Sequence, residues 1–256
     1  MPKTQIAAQL YTLRDFIKTP AEVAQAMKRV REIGYEAVQI SGMGPIDPHE
    51  CRKIMDDNGL TVAATHISFE QMRDDTAAVI EEHHILGCKY PAIGGLPNEY
   101  RTSAEGYLTF AMEATGVGKR LAEAGLTFGY HNHSFELERF GEHLGLAIIY
   151  AESDPQYVTG EIDTYWIQHG GGDPAQWIRL LKGRMFLAHL KDMRIKDGQQ
   201  QYAEVGEGNL NWPNILEACK STGVEWYIVE QDLCYDRDPF DSLKISLENL
   251  QGWGLK

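Results

Sequence analysis

The chain has 256 residues, 43% of them hydrophobic and 24% charged, as in a water-soluble globular protein with one sizeable core. A formal charge of −13 argues against nucleic acid, whose phosphates demand a basic face. No run approaches the roughly 20 apolar residues of a membrane span, so no membrane partner is expected.

Met1-Pro2-Lys3-Thr4-Gln5 leads straight into an apolar run and lacks a signal-peptide pattern, which makes the cytoplasm the expected location. Candidate strands then follow as Gln5–Leu10, Ala37–Ser41, Thr61–Ile67, Tyr90–Gly94, Thr127–His131, Val158–Asp163, Met185–His189 and Trp226–Glu230. The stretches between them read as helices. Thr19-Pro20, Asp47-Pro48, Asp173-Pro174 and Asp238-Pro239 each place a capping oxygen before a proline at the first helical position. Thr19 with Glu22 fits a capping box, and Asp47 with Glu50 resembles one. Gly34, Gly59, Gly87, Gly125, Gly183 and Gly223 supply the stop signals, because glycine accommodates a left-handed cap. Val23, Met27, Val30 and Ile33 share one face of the first helix. Eight strand–helix units in this length predict an α/β fold, a (β/α)8 TIM barrel spanning residues 1–256 as a single domain. An open doubly wound sheet usually carries a glycine-rich phosphate turn after its first strand. Here Tyr11-Thr12-Leu13-Arg14-Asp15 follows instead.

In such barrels chemistry collects at the carboxyl ends of the strands. Those ends carry His131-Asn132-His133, Asp163, His189 and Glu230, from four consecutive strands, with His66 added by the third. These side chains are of the types that bind a divalent cation. A carboxylate such as Glu230, buried in a barrel mouth, needs a cation or a proton. A long loop, residues 191–211, follows the seventh strand and is a candidate lid or substrate clamp. Within it Gly206 and Gly208 offer backbone N–H groups to a phosphate. Tyr11, Tyr130, Phe135, Tyr165 and Trp166 are aromatics placed to stack on a sugar ring or to pack as a rim. The four cysteines, Cys51, Cys88, Cys219 and Cys234, are widely spaced and read as free thiols. Cys234, four residues beyond Glu230, either approaches the mouth or packs under the loop.

The segments Tyr130–Glu136, Glu161–Trp166, His189–Asp192, Val205–Gly208 and Val229–Asp232 together resemble the xylose isomerase-like TIM barrels, the sugar phosphate isomerase/epimerase family, over essentially the whole chain. The resemblance implies one divalent metal ion, often Mn²⁺, with Mg²⁺, Zn²⁺ and Co²⁺ as alternatives. Its ligands would be Asp163, His189 and Glu230, with His131 where the family normally has a glutamate. Glu136 could compensate for that glutamate if the register slips. The departure weakens a direct epimerase reading, which uses two glutamates as paired acid and base, and moves the expectation toward the inosose dehydratase-like branch. The implied chemistry is enediolate formation on a sugar, keto sugar or inosose, with Glu230 and either His131 or His133 as catalytic groups. Lys191 and Glu207 are expected to contact substrate or leaving group, and His66 and Trp166 to line the pocket. An epimerase or isomerase is the alternative. A second alternative is a non-catalytic sugar-binding or partner subunit on the same barrel. Trp253 and Leu255 mark a surface for a homo-oligomer or a second subunit.

Overall fold

Eight parallel strands close into a barrel in a computed structural model that describes residues 5–256. The first four residues, part of the stretch that lacks a signal-peptide pattern, lie outside them. The strands are β1 (Ile6–Gln9), β2 (Ala37–Ile40), β3 (Thr61–His66), β4 (Pro91–Ile93), β5 (Phe128–His131), β6 (Val158–Asp163), β7 (Met185–Leu190) and β8 (Trp226–Val229). Each pairs in parallel with its sequence neighbours, and β1 pairs with β8 to close the ring. All eight expected strands are present. β6 has the expected bounds, and the others shift by a residue or so at their ends.

The helices begin and end where their local chemistry dictates. Thr19 accepts from Glu22 N–H while Glu22 reaches back to Thr19 N–H, a complete capping box. Asp47, Asp173 and Asp238 accept from first-turn N–H groups, each before a proline. At Asp47 only the aspartate's half of the box forms. The six stop glycines all take positive φ, from 63° at Gly59 to 119° at Gly34, a region other residues enter at a cost. The first helix, Pro20–Ile33, buries Val23, Ala26, Met27 and Val30 against the barrel, with Ile33 half-buried at its edge.

Loop 191–211 differs from expectation. It folds as an antiparallel hairpin, Asp192–Lys196 paired with Gln199–Ala203, and only then runs irregularly. Asp197 and Gly198 form the turn, with φ of 53° and 73°, as a two-residue hairpin turn requires. No helix among the described residues is long and apolar enough to cross a membrane. Cys51, Cys88 and Cys219 are buried free thiols. Cys234 is half-buried beside Ser242, and burial raises its thiol pKa. Trp253 is half-exposed and stacks on Trp212 at 6.0 Å, while Leu255 packs on the core.

Candidate functional site

Side chains two apart on a strand share a face, so each of the last four strand ends sends a pair of residues the same way. The pairs are His131 and His133, Glu161 and Asp163, His189 and Lys191, and Glu230 and Asp232. Residues between them serve packing or the backbone. Ile162 and Leu190 join the apolar core, and Asn132 accepts from Asp163 N–H.

The result is a buried polar cluster at the carboxyl end of the barrel. One ligand atom each from His131, Asp163, His189 and Glu230 lies within 4.8 Å of the other three, and all four residues are at most 6% exposed. His189 Nδ1 is 3.0 Å from Glu230 Oε2 and 3.9 Å from Asp163 Oδ2, while His131 Nε2 is 3.8 Å from Asp163 Oδ2. Donors about 2.1 Å from a shared ion sit roughly 3.0–3.5 Å apart, so small closures would bring these four around one cation. Asp163 divides its two oxygens. Oδ1 caps the helix Thr164–His169 by accepting from Trp166 N–H, and Oδ2 has no hydrogen bond. Two nitrogens and two carboxylate oxygens, one of them an orphaned buried atom, fit a divalent ion of the manganese or zinc type.

Lys191 is the cation already in place. Its buried ammonium lies 2.6 Å from Asp232 Oδ2, 2.8 Å from Glu230 Oε2 and 3.1 Å from Asp163 Oδ2. The last contact is an ion pair outside hydrogen-bond geometry, consistent with the orphaned Oδ2. Burial works against the Lys191 charge, but the three carboxylates hold its pKa well above the usual lysine value. Burial would equally raise the Glu230 pKa, and Lys191 and His189 outweigh it, so Glu230 stays ionised. At Asp163 burial wins, lifting the carboxyl to about 6 against Lys191 and His189. Burial and the neighbouring cationic side chains depress His131 well below the ordinary histidine value, leaving a neutral ring. Against burial, Glu161 and Glu230 raise His189 to about 10.

Below this set lies a second polar layer formed by Gln9, Gln39, His66 and Glu161. Glu161 is fully buried and accepts from Gln39 Nε2 at 2.8 Å and His66 Nε2 at 2.6 Å. Glu161 and Gln39 are not among the strand-end residues expected to form the site. The period-two rule applied one step back from Asp163 would have found the glutamate.

Other expected site residues fall in different places. His133 and Trp166 are half-buried neighbours with ring centroids 5.1 Å apart, and His133 Nδ1 and Trp166 Nε1 have no hydrogen-bond partner. The Trp166 and Tyr202 rings lie 5.5 and 5.8 Å from Lys191 Nζ, so the hairpin's Tyr202 helps cover the mouth. Glu136 does not slip into the ligand set. It is held away by Tyr130 Oη at 2.8 Å and His133 N–H at 2.9 Å, and strand five contributes His131. Glu207 is exposed and bonded to Asn249 Nδ2 at 3.1 Å on the last helix, so the structure does not bring it to the cluster. The N–H groups of Gly206 and Gly208 are both taken by Asp192 Oδ2 at 3.0 Å, which corrects the expectation of a phosphate cradle.

Comparison with known proteins gives a consistent family. The profile of the xylose isomerase-like TIM barrel matches residues 27–253. The rhizopine catabolism protein MocC of Rhizobium meliloti is 23% identical over 274 residues, covering 91% of this chain and 81% of that protein. An inosose dehydratase of Lacticaseibacillus casei is 22% identical over 255 residues, covering 81% of each. A sugar phosphate isomerase/epimerase structure from Parabacteroides distasonis ATCC 8503 superposes with a TM-score of 0.83 at 23% identity, covering 100% of this chain and 96% of that one. With its closed barrel, its strand-end cluster and a profile match over most of its length, this chain belongs to the xylose isomerase-like TIM barrel family.

Proposed function

We propose that this protein is a divalent-metal-dependent enzyme that forms an enediolate from a sugar, keto sugar or inosose, with elimination favoured over epimerisation. The observation that carries the reading is the convergence of His131, Asp163, His189 and Glu230 from four consecutive strands. Mn²⁺ is the ion we favour. When bound, such an ion supplies Lewis-acid polarisation of a substrate carbonyl and the adjacent hydroxyl.

The chain's own groups do the rest. Glu230, kept ionised by the Lys191 ammonium 2.8 Å away, accepts the proton from the carbon beside the carbonyl. The Lys191 ammonium faces the negative charge that develops on oxygen. His133 and Trp166 offer unpaired ring nitrogens to substrate hydroxyls at the mouth. His66 belongs to the layer beneath, where it orients Glu161. Elimination is preferred because a neutral His131 stands where a second glutamate would be needed to return the proton to the opposite face. His133, with an unpaired Nδ1 at the mouth, is the group left to hydrogen-bond the departing hydroxyl or glycosyl oxygen, which leaves with the proton that Glu230 took from carbon. The similarity to an inosose dehydratase points the same way.

The test is an assay of protein stripped of metal and then supplied with Mn²⁺, against an inosose, a 3-keto sugar and a ketohexose. We expect elimination from the first or second, and a loss of at least ~100-fold in the Glu230→Gln variant, the scale of a general base. Full activity in that variant sinks the mechanism, and epimerisation of the ketohexose alone favours the epimerase reading. A second reading, a non-catalytic sugar-binding subunit, gains support from Lys191, which balances the carboxylates without a metal. Absence of stoichiometric metal together with retained sugar binding would favour it.

A further inference from the structure

We infer that Glu161, acting with Gln39, is the positioning group that presents Nδ1 of His189 to the metal. The inference rests on the metal-site reading above and assigns what lies behind it. It follows from which atoms can donate.

A carboxylate only accepts hydrogen bonds, so Gln39 must turn its amide nitrogen toward Glu161 Oε1, 2.8 Å away. Gln39 Oε1 then faces the other way, where it meets His189 Nε2 at 2.6 Å and Gln9 Nε2 at 2.8 Å. A carbonyl oxygen cannot donate, so His189 Nε2 carries a hydrogen. When His189 binds a metal its one remaining proton is therefore on Nε2, and the lone pair is on Nδ1. Nδ1 is the atom that faces Glu230 and Asp163.

The same assignment is reached from the opposite end of the network. Tyr11 N–H, which can only donate, is bonded to Gln9 Oε1 at 3.3 Å, which fixes the Gln9 amide with its nitrogen pointing inward. Its two hydrogens reach Gln39 Oε1 and His66 Nδ1, the latter at 3.3 Å. His66 then accepts at Nδ1 and donates from Nε2 to Glu161 Oε2. A single proton arrangement satisfies every bond from Tyr11 to His189.

Glu161 also lies behind the second histidine. His131 Nδ1 has no hydrogen-bond partner and points at Glu161 Oε2 from 3.9 Å, while its Nε2 faces Asp163. One carboxylate thus backs both imidazoles, through Nε2 of one and Nδ1 of the other. Metal-bound histidines commonly donate their free N–H to such a carboxylate, which fixes tautomer and ring orientation. The set His66, His131, Glu161 and His189 is compact enough to hold a cation itself. Its Glu161, His66 and His189 Nε2 atoms are already committed to hydrogen bonds, so it reads as support for the upper set.

The experiment uses the full chain with ¹⁵N-labelled histidine and Zn²⁺, a diamagnetic probe. Proton–nitrogen correlation spectra report which ring nitrogen carries hydrogen and which is bound to metal. We expect His189 to be protonated at Nε2 and bound through Nδ1, and His131 to be protonated at Nδ1. Calorimetry should show Glu161→Gln binding Zn²⁺ about 10- to 100-fold more weakly. Zinc held through Nε2 of His189, read on the wild-type protein, overturns this inference alone. So does wild-type affinity in Glu161→Gln. No zinc binding by the wild-type chain overturns it together with the metal-site reading.

Discussion

Lys191 holds three carboxylates through one buried ammonium, and any metal must share two of them. Replacing it with methionine keeps the length and removes the charge. In metal-free protein, Lys191→Met leaves buried carboxylates uncompensated, and a destabilisation of about 3–5 kcal/mol is expected. The same change removes a positive charge from beside the metal's own ligands, so Mn²⁺ should bind more tightly and restore much of that stability. Urea unfolding with and without Mn²⁺ checks both parts, and weaker Mn²⁺ binding in the variant would contradict this account. Glu136 gives a pH signature. Burial raises its carboxyl from 4.5 to about 7, opposed by hydrogen bonds from His133 N–H and Tyr130. The folded state holds that proton more tightly than the unfolded chain between those values, so this contribution to stability falls as pH rises from about 4.5 to 7. Relative to Glu136→Gln, the wild type should lose up to about 3 kcal/mol between pH 5 and pH 8. Parallel pH profiles would refute the assignment. Asp163, His189 and Glu230 were legible in the sequence because each stands at or just past the end of an apolar strand. Glu161 stands one period-two step inside the strand from Asp163, so its face was legible, but its partners were not. Gln39 and His66 reach it from strands far away in the chain.

The hairpin and the turn beyond it hang on Asp192. One carboxylate accepts from Met193, Gly206, Gly208 and Leu210 N–H groups and from Trp212 Nε1. It thereby ties the seventh strand, the hairpin and the helix Trp212–Thr222 into one unit. Tyr202, carried by the hairpin, stacks on Tyr165 at 4.3 Å over the mouth of the cluster. Asp192→Ala should free those N–H groups and raise hydrogen exchange across 205–210 by more than tenfold, while β5 and β6 keep their protection. Unchanged exchange there would show that the segment is held by other contacts. The hairpin itself carried a readable signal in Asp197-Gly198. Of the strands flanking it, Asp192–Lys196 alternates polar and apolar residues but is only five residues long with three of them charged, and Gln199–Ala203 opens on three glutamines without alternation, which is why residues 191–211 read as a loop. Barrel strands were legible as elements, since proline, aspartate and glycine punctuate the helices between them. Their ends were less so, because pairing register decides where a strand stops.

At the scale of the whole molecule, the barrel gathers into one buried cluster groups that the chain spreads from Gln9 to Asp232. A site formed from so many strands should couple ligand binding to global stability. Mn²⁺ at a hundred times its dissociation constant should stabilise the fold by about 2.7 kcal/mol, seen as a higher unfolding midpoint. A midpoint indifferent to Mn²⁺ would contradict that coupling. Composition alone did not reveal the site, because four acids in one cluster are a small part of a formal charge of −13. The proposed chemistry requires His131, Asp163, His189 and Glu230 to hold one divalent ion. Calorimetric titration of metal-free protein with Mn²⁺ tests it most directly. One ion bound per chain, with binding abolished in His189→Ala, is the predicted result. No saturable binding, or binding that survives the loss of His189, would contradict it.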